Sequence, residues 1–240
     1  MSDATSSPAP EDDLPEQIRV RRDKRQQLID AGVEPYPVVV DRTHTLKQIT
    51  TTYDAEALGP DVQTGDIVSV TGRVIFLRNT GKLCFVRLRE GDGTELQAML
   101  SLDLVGEERL AAFKSLVDIG DLLAVTGEVI TSRRGELSVQ AKTWQLAAKT
   151  VRPLPNEHNP LSDEARSRMR YVDLIVRPEA RDNVRVKAKV LQSLRATLDA
   201  RDFVEVDTPV LQHTNGGAAA RPFKTHTNAF DEDMLLRIAL

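Results

Sequence analysis

The sequence is short of several features that would place it at once. Among its 240 residues there is one cysteine, Cys84. A single thiol excludes disulfides within the chain and zinc sites built on cysteine, and it makes a reducing cytoplasm the expected setting. No apolar run approaches the roughly 20 residues that a membrane-crossing helix requires, so no membrane partner is expected. Met1-Ser2-Asp3-Ala4 has neither the basic stretch nor the apolar core of a secretory signal. Internal repeats are absent, and low complexity is confined to 1–13, a Ser/Pro/Asp-rich tail expected to be disordered. An excess of positive charge is missing too: 32 Lys and Arg stand against 36 Asp and Glu, a net charge of −4.

What is present is unevenly spread, and the distribution matters more than the sum. Residues 19–25 read RVRRDKR and 164–201 is dense in Arg and Lys, while acid gathers at Glu11-Asp12-Asp13. Basic stretches of this kind are commonly solvated helix faces; beside a base-stacking surface they are placed for phosphate. A hydrophobic fraction of 40% suffices for packed cores. The length suits one or two domains of roughly 100–150 residues.

Period-two alternation dominates the middle of the chain. Val68, Val70 and Val74 alternate with Ser69, Thr71 and Arg73 over 66–77, and Leu96, Ala98 and Leu100 with Glu95, Gln97 and Met99 over 94–101. Strand patterns also cover 120–132, around Gly127, and 136–144, where Leu137, Val139 and Ala141 oppose Glu136, Ser138 and Gln140. Asn79-Thr80-Gly81, Asp92-Gly93 and Arg134-Gly135 supply the turns. Between the third and fourth strands, Leu110, Phe113, Lys114 and Val117 recur at helical spacing over 106–117. Five short strands with one helix between the third and fourth is the order of an oligonucleotide-binding barrel, the OB-fold.

The second strand reads Phe85-Val86-Arg87-Leu88-Arg89. Alternation turns Cys84, Val86 and Leu88 to one side and Phe85, Arg87 and Arg89 to the other. An aromatic ring among arginines on a wet face fits a base-stacking platform. Taken alone, the strand equally fits a half-buried one whose ring a neighbour covers. By parity the same outer face carries Arg73, Phe85, Arg87, Gln97 and Glu136, a stacker together with groups able to hydrogen-bond base edges.

Outside the barrel, 14–31 reads as a helix with Asp13 as its cap, Pro15 in its first turn and Gly32 as its stop. A mixed connector follows Pro35-Tyr36-Pro37. Pro153, Pro155 and Pro160 punctuate a linker. Over 183–201 an apolar stripe of Val184, Ala188, Leu191, Leu194 and Leu198 predicts an amphipathic helix, and Phe203-Val204-Glu205-Val206 predicts a short strand. The run Gly216-Gly217-Ala218-Ala219-Ala220 either lets a ligand approach the backbone or is a plain loop. His213 and His226 lack companions at ligand spacing and read as polar loop histidines, so no metal site is expected.

A barrel of this kind followed by a long helix and Phe203-Val204-Glu205-Val206-Asp207-Thr208-Pro209 resembles the class II aminoacyl-tRNA synthetases with an amino-terminal anticodon-binding domain. Arg168-Met169-Arg170-Tyr171-Val172-Asp173-Leu174-Ile175, the stretch from Gly216 to Phe223, Thr225-His226-Thr227-Asn228-Ala229 and Leu236-Arg237-Ile238-Ala239 resemble the lysine-specific, bacterial-type members. The resemblance implies ATP-dependent activation of lysine and its transfer to tRNA by a cytoplasmic homodimer using ATP and magnesium (Mg2+). It implies anticodon contacts from Arg73, Phe85, Gln97 and Glu136, a backbone contact to lysine at Gly217, and a dimer interface at Pro209. In such enzymes the arginines that grip ATP and the acids that hold magnesium belong to two later signatures. The sequence stops at Leu240, before both. No catalytic residue is therefore expected within the chain, which alone should be inactive.

The expected fold is a five-stranded OB-fold β-barrel followed by an incomplete class II antiparallel α+β catalytic domain. Its segments are a tail at 1–13, a helix and connector at 14–62, the barrel at 63–148, a linker at 149–178 and the start of the catalytic domain at 179–240. The competing reading is a non-catalytic RNA-binding module of the same ancestry. Aspartate- and asparagine-specific relatives are disfavoured by the Gly-Gly-Ala-Ala-Ala loop, and a transferase domain detached from a membrane protein by the lack of a spanning segment.

Overall fold

The structure is a computed structural model and describes residues 14–155 and 160–239. The tail at 1–13, with Asp13 as a helix cap, lies outside the described residues. The chain forms two compact units, one ending at Arg181 and one beginning at Asp182.

The first unit opens with α1 (Glu16–Asp30), where Pro15 stands at the N-cap. Two short helices follow in the stretch read as connector, α2 (Leu46–Thr52) and α3 (Ala55–Leu58). Thr45 and Gln48 close the start of α2 reciprocally: the Thr45 hydroxyl accepts from the Gln48 amide at 2.9 Å, and the Gln48 side chain accepts from the Thr45 amide at 2.8 Å.

Five strands then make a closed barrel: β1 (Gln63–Asn79), β2 (Leu83–Arg89), β3 (Glu95–Ser101), β4 (Leu122–Thr131) and β5 (Leu137–Ala148). Their order is β1-β2-β3-β5-β4, with β4 returning to β1 and only β3 and β5 running parallel. Closure leaves no free sheet edge in the barrel. Inside lie Val70, Val74, Val86, Leu100, Leu123, Val125, Val129 and Val139, each at most 1% exposed. Cys84 and Leu88 join them as alternation requires, at 2% and 1%. Between β3 and β4 come α4 (Leu102–Val105) and α5 (Glu107–Leu116), which plugs the barrel with Leu110 and Phe113. Lys114, read on the same stripe, instead donates outward to the Gly81 carbonyl.

Strict alternation fails in one place that matters. The pairing of β1 with β2 shifts between Val74 and Phe76, leaving Ile75 as an extra residue. A bulge reverses the facing of everything beyond it, so Phe76 and Arg78 turn outward while Leu77 packs on the core. Ser138, read as an outward polar residue, keeps that facing beside Gln97 but is covered there and fully buried.

The barrel is clasped to its surroundings by buried charge. The Lys149 ammonium, fully buried, donates to Asp118 at 2.6 Å, to Asp121 at 2.7 Å and to the Leu116 carbonyl at 2.8 Å. Lys24 of α1 donates to the second oxygen of Asp118 at 2.6 Å, and Arg21 to the Ile119 carbonyl at 2.9 Å. Burial alone would raise the pKa of Asp118, but the hydrogen bonds from Lys149 and Lys24 outweigh it and hold the carboxyl below its ordinary value.

The stretch read as a linker carries α6 (Asp163–Arg168) and α7 (Arg170–Val176). Asp173, fully buried, accepts from Arg170 at 2.6 Å and Arg177 at 3.1 Å.

The second unit contains most of α8 (Pro178–Asp199) and a three-stranded antiparallel sheet of β6 (Leu211–Gln212), β7 (Lys224–Thr227) and β8 (Glu232–Leu236) in the order β6-β8-β7. The apolar stripe of α8 is formed but uncovered: Val184, Leu191, Leu194 and Leu198 are 43–55% exposed. The strand expected at Phe203-Val204-Glu205-Val206 does not form. Alternation makes a strand only when a ladder partner exists, and among the described residues nothing pairs with this segment, whose Val204 is 83% exposed.

Candidate nucleic-acid interface

The outer faces of β1, β2 and β3 carry residues in ranks, because directly opposed residues of neighbouring strands point the same way. Arg78, Phe85 and Met99 form one rank, continued on β5 by Gln140. Phe76, Arg87 and Gln97 form the next, and Arg73, Arg89 and Glu95 the third.

The first two ranks line a cavity of about 980 Å³ on the barrel surface. Phe85 is half-buried there, and its ring faces the cavity rather than the core. The Arg78 guanidinium lies over that ring, 4.5 Å from its centre. Arg87 reaches across the cavity to Glu136 at 2.8 Å, an ion pair with both side chains over 40% exposed. Exposed pairs of this kind contribute about 0–1 kcal/mol, so this one opens readily for a competing hydrogen-bonding group. Gln97 donates to the Ser138 hydroxyl at 3.0 Å, and Ser138 donates to the Glu136 carbonyl at 3.0 Å. The buried serine thus sets the orientation of Gln97 and ties it to the loop that carries Glu136.

Of the four barrel residues that the resemblance implies as anticodon contacts, three come together around the cavity: Phe85, Gln97 and Glu136. Arg73 does not join them. It stands before the bulge, opposite Arg89, and its Nη1 donates to the Gly120 carbonyl at 2.7 Å. Burial lowers its pKa from the ordinary arginine value, against a smaller opposing effect of Asp121. The arginine that accompanies the ring is Arg78, and Phe76, 52% exposed, adds a second aromatic to the same cavity. Both escaped sequence reasoning because unbroken parity from Val74 sends them inward. The signal was the unalternating run Val74-Ile75-Phe76-Leu77.

In the second unit, Gly217 adopts a φ of 88°, and a Cβ there would lie 2.9 Å from that of Ala239. Glycine is required on both counts. Pro209 is exposed. His226 pairs with Asp233 across β7 and β8 at 2.9 Å. Among the described residues no group of three or more His, Cys, Asp or Glu side chains is placed to hold a metal ion, so no residue is assigned to magnesium.

An OB-fold barrel with a ring-lined cavity on its outer face, followed by a second unit, defines a class of protein rather than an individual. Residues 68–147 match the family of OB-fold nucleic acid binding domains, and 162–240 match the class II tRNA synthetases for D, K and N. These matches describe a class II aminoacyl-tRNA synthetase with an amino-terminal barrel. The lysine–tRNA ligase of Mycolicibacterium gilvum is 56% identical over 234 residues, 98% of this chain and 46% of its own length. That of Mycobacterium tuberculosis (strain H37Ra) is 58% identical over 228 residues, 95% of this chain and 45% of its own. The lysylphosphatidylglycerol biosynthesis bifunctional protein LysX of Mycobacterium ulcerans is 44% identical over 231 residues, 96% of this chain and 20% of its own. Over nearly its whole length the chain is similar to lysine–tRNA ligases. It spans under half the length of the lysine–tRNA ligases named above. Among the described residues no helix is long and apolar enough to cross a membrane.

Proposed function

We propose that this chain supplies the anticodon-reading barrel and the opening of the aminoacylation domain of a lysine–tRNA ligase, which activates lysine with ATP and magnesium and transfers it to tRNA in the cytoplasm. The observation that carries the reading is the outward ring of Phe85 in a cavity edged by Arg78, Arg87, Gln97 and Glu136. An unpaired base stacks on Phe85, with Phe76 as a second ring within reach. Gln97 and Glu136 hydrogen-bond the Watson–Crick edges of the splayed bases. Gly217 lets the lysine substrate meet the backbone, and Pro209 with the uncovered stripe of α8 meets a second copy in a homodimer.

The test is a titration of the 240-residue chain with two RNA hairpins of identical stem, one bearing the lysine anticodon and one with those bases replaced. The lysine hairpin binds more tightly by at least about 1 kcal/mol, the lower end of what one well-made side chain–base pairing discriminates. Equal affinity for both removes base reading from the cavity.

The second reading, a non-catalytic RNA-binding module, draws on the fact that the barrel and its cavity are complete within the first unit. It predicts the same hairpin preference without lysine-dependent ATP–pyrophosphate exchange in any longer form of the protein.

A further inference from the structure

The outward residues of β2 form a single row, Phe85, Arg87 and Arg89, spaced about 7 Å apart because alternate strand residues advance by two rises. The first two belong to the base cavity. The third opens into a separate groove of about 530 Å³. Across from Arg89 stands Arg73, and Arg42 and Lys47 close the far wall. Among the described residues four cations thus meet in the groove with two carboxylates, Glu90 and Asp92. Glu90 pairs with Arg42 and accepts from the backbone of Lys47, and Glu95 answers Arg89 at 2.6 Å.

Two cations have no such answer. Among the described residues neither the Arg73 guanidinium nor the Lys47 ammonium enters an ion pair. Arg73 is half-buried, and among the described residues its guanidinium donates one hydrogen bond, to the Gly120 carbonyl. Burial works against its charge, yet a guanidinium does not give up its proton. A partly desolvated cation that makes no ion pair gains most from an anionic oxygen with fork-like geometry. Among the described residues no aromatic ring lines the groove, so they offer a base nothing to stack on. Charge without a stacking surface is suited to backbone, and the ring-bearing cavity beside it to bases.

We propose that the groove of Arg73, Arg89, Arg42 and Lys47 grips phosphates of the same RNA strand whose bases occupy the Phe85 cavity, with Arg87 and Arg89 as the stepping row between them. This rests on the proposed anticodon reading and extends it from bases to backbone. It also gives Arg73 a role that its distance from the ring denies it as a partner of the stacked base.

Phosphate contacts are sequence-blind and salt-sensitive, which separates them from base contacts. Lys47→Gln and Arg73→Gln are each compared with the wild-type 240-residue chain on both hairpins across a salt series. Each substitution reduces the slope of log affinity against log salt by about 0.7, the worth of one single-strand phosphate. The affinity lost between ~50 and ~200 mM salt then shrinks about 2.6-fold per contact, equally for both hairpins. Phe85→Ala weakens lysine-hairpin binding and leaves the slope unchanged. Wild-type slopes and affinities in both groove variants overturn the proposal. Lys47 is exposed, and among the described residues its ammonium makes no ion pair, so Lys47→Gln decides the matter if Arg73→Gln does not fold. Groove variants that act while Phe85→Ala does nothing sink the base-stacking reading alone; a wild-type chain that binds neither hairpin sinks both.

Discussion

Asp118 sits where three segments meet, taking a lysine from each side, and its chemistry shows how single residues set the behaviour of the first unit. With a folded pKa below the ordinary 3.8, the group favours the folded state at every pH above that value. The contribution declines as pH falls through 3.8 and is gone once the folded carboxyl protonates. Acid titration of stability therefore shows a loss below pH 3.8, and Asp118→Asn flattens it while lowering stability at neutral pH. Denaturant unfolding followed from neutral to strongly acid pH checks this, and identical acid profiles for the two chains would refute it. Such a clasp was not readable in the sequence. Lys149 follows a strand pattern and looks like any surface lysine, and only the fold brings it against Asp118 and Asp121 from 31 and 28 residues away. Phe85 was readable, because local alternation alone fixes which way its ring turns.

At the scale of elements, what was legible is what depends on near neighbours. The five strands, the helix before β4 and the long amphipathic helix all follow from periodicity and turn residues. What was hidden are the irregularities, since a bulge needs only one extra residue and leaves no residue type as its signature. The bulge at Ile75 turns Phe76 and Arg78 into the cavity and so changes which side chains make the site. Phe203-Val204-Glu205-Val206 failed for the converse reason: it has the composition of a strand but no partner among the described residues. Gly127 marks another close passage of backbone. A Cβ at this position in β4 would come 2.0 Å from the Gln140 carbonyl oxygen of β5, and a backbone atom in a ladder has little room to move. Gly127→Ala is expected to destabilise the barrel by at least the ~1–3 kcal/mol typical of overpacking. Chemical denaturation measures it, and a loss of a few tenths would mean that β4 and β5 part easily there.

For the whole molecule, the net charge of −4 gives RNA no general reason to approach. Attraction has to come from local arrangement, and the outer face of β1 and β2 concentrates Arg73, Arg78, Arg87 and Arg89 beside the outward rings of Phe76 and Phe85. The second unit is organised differently, with an exposed apolar helix and a small sheet instead of a closed core. Among the described residues the barrel cavity is lined by side chains of the first unit. The account therefore turns on one surface and, within it, one ring. The measurement that reaches it most directly is the affinity of the 240-residue chain for the lysine-anticodon hairpin before and after Phe85→Ala, a change confined to a partly exposed side chain. Loss of about 1–3 kcal/mol of binding, the usual worth of one base stacked on an aromatic, is the predicted result. Unchanged affinity in a folded Phe85→Ala chain would contradict it.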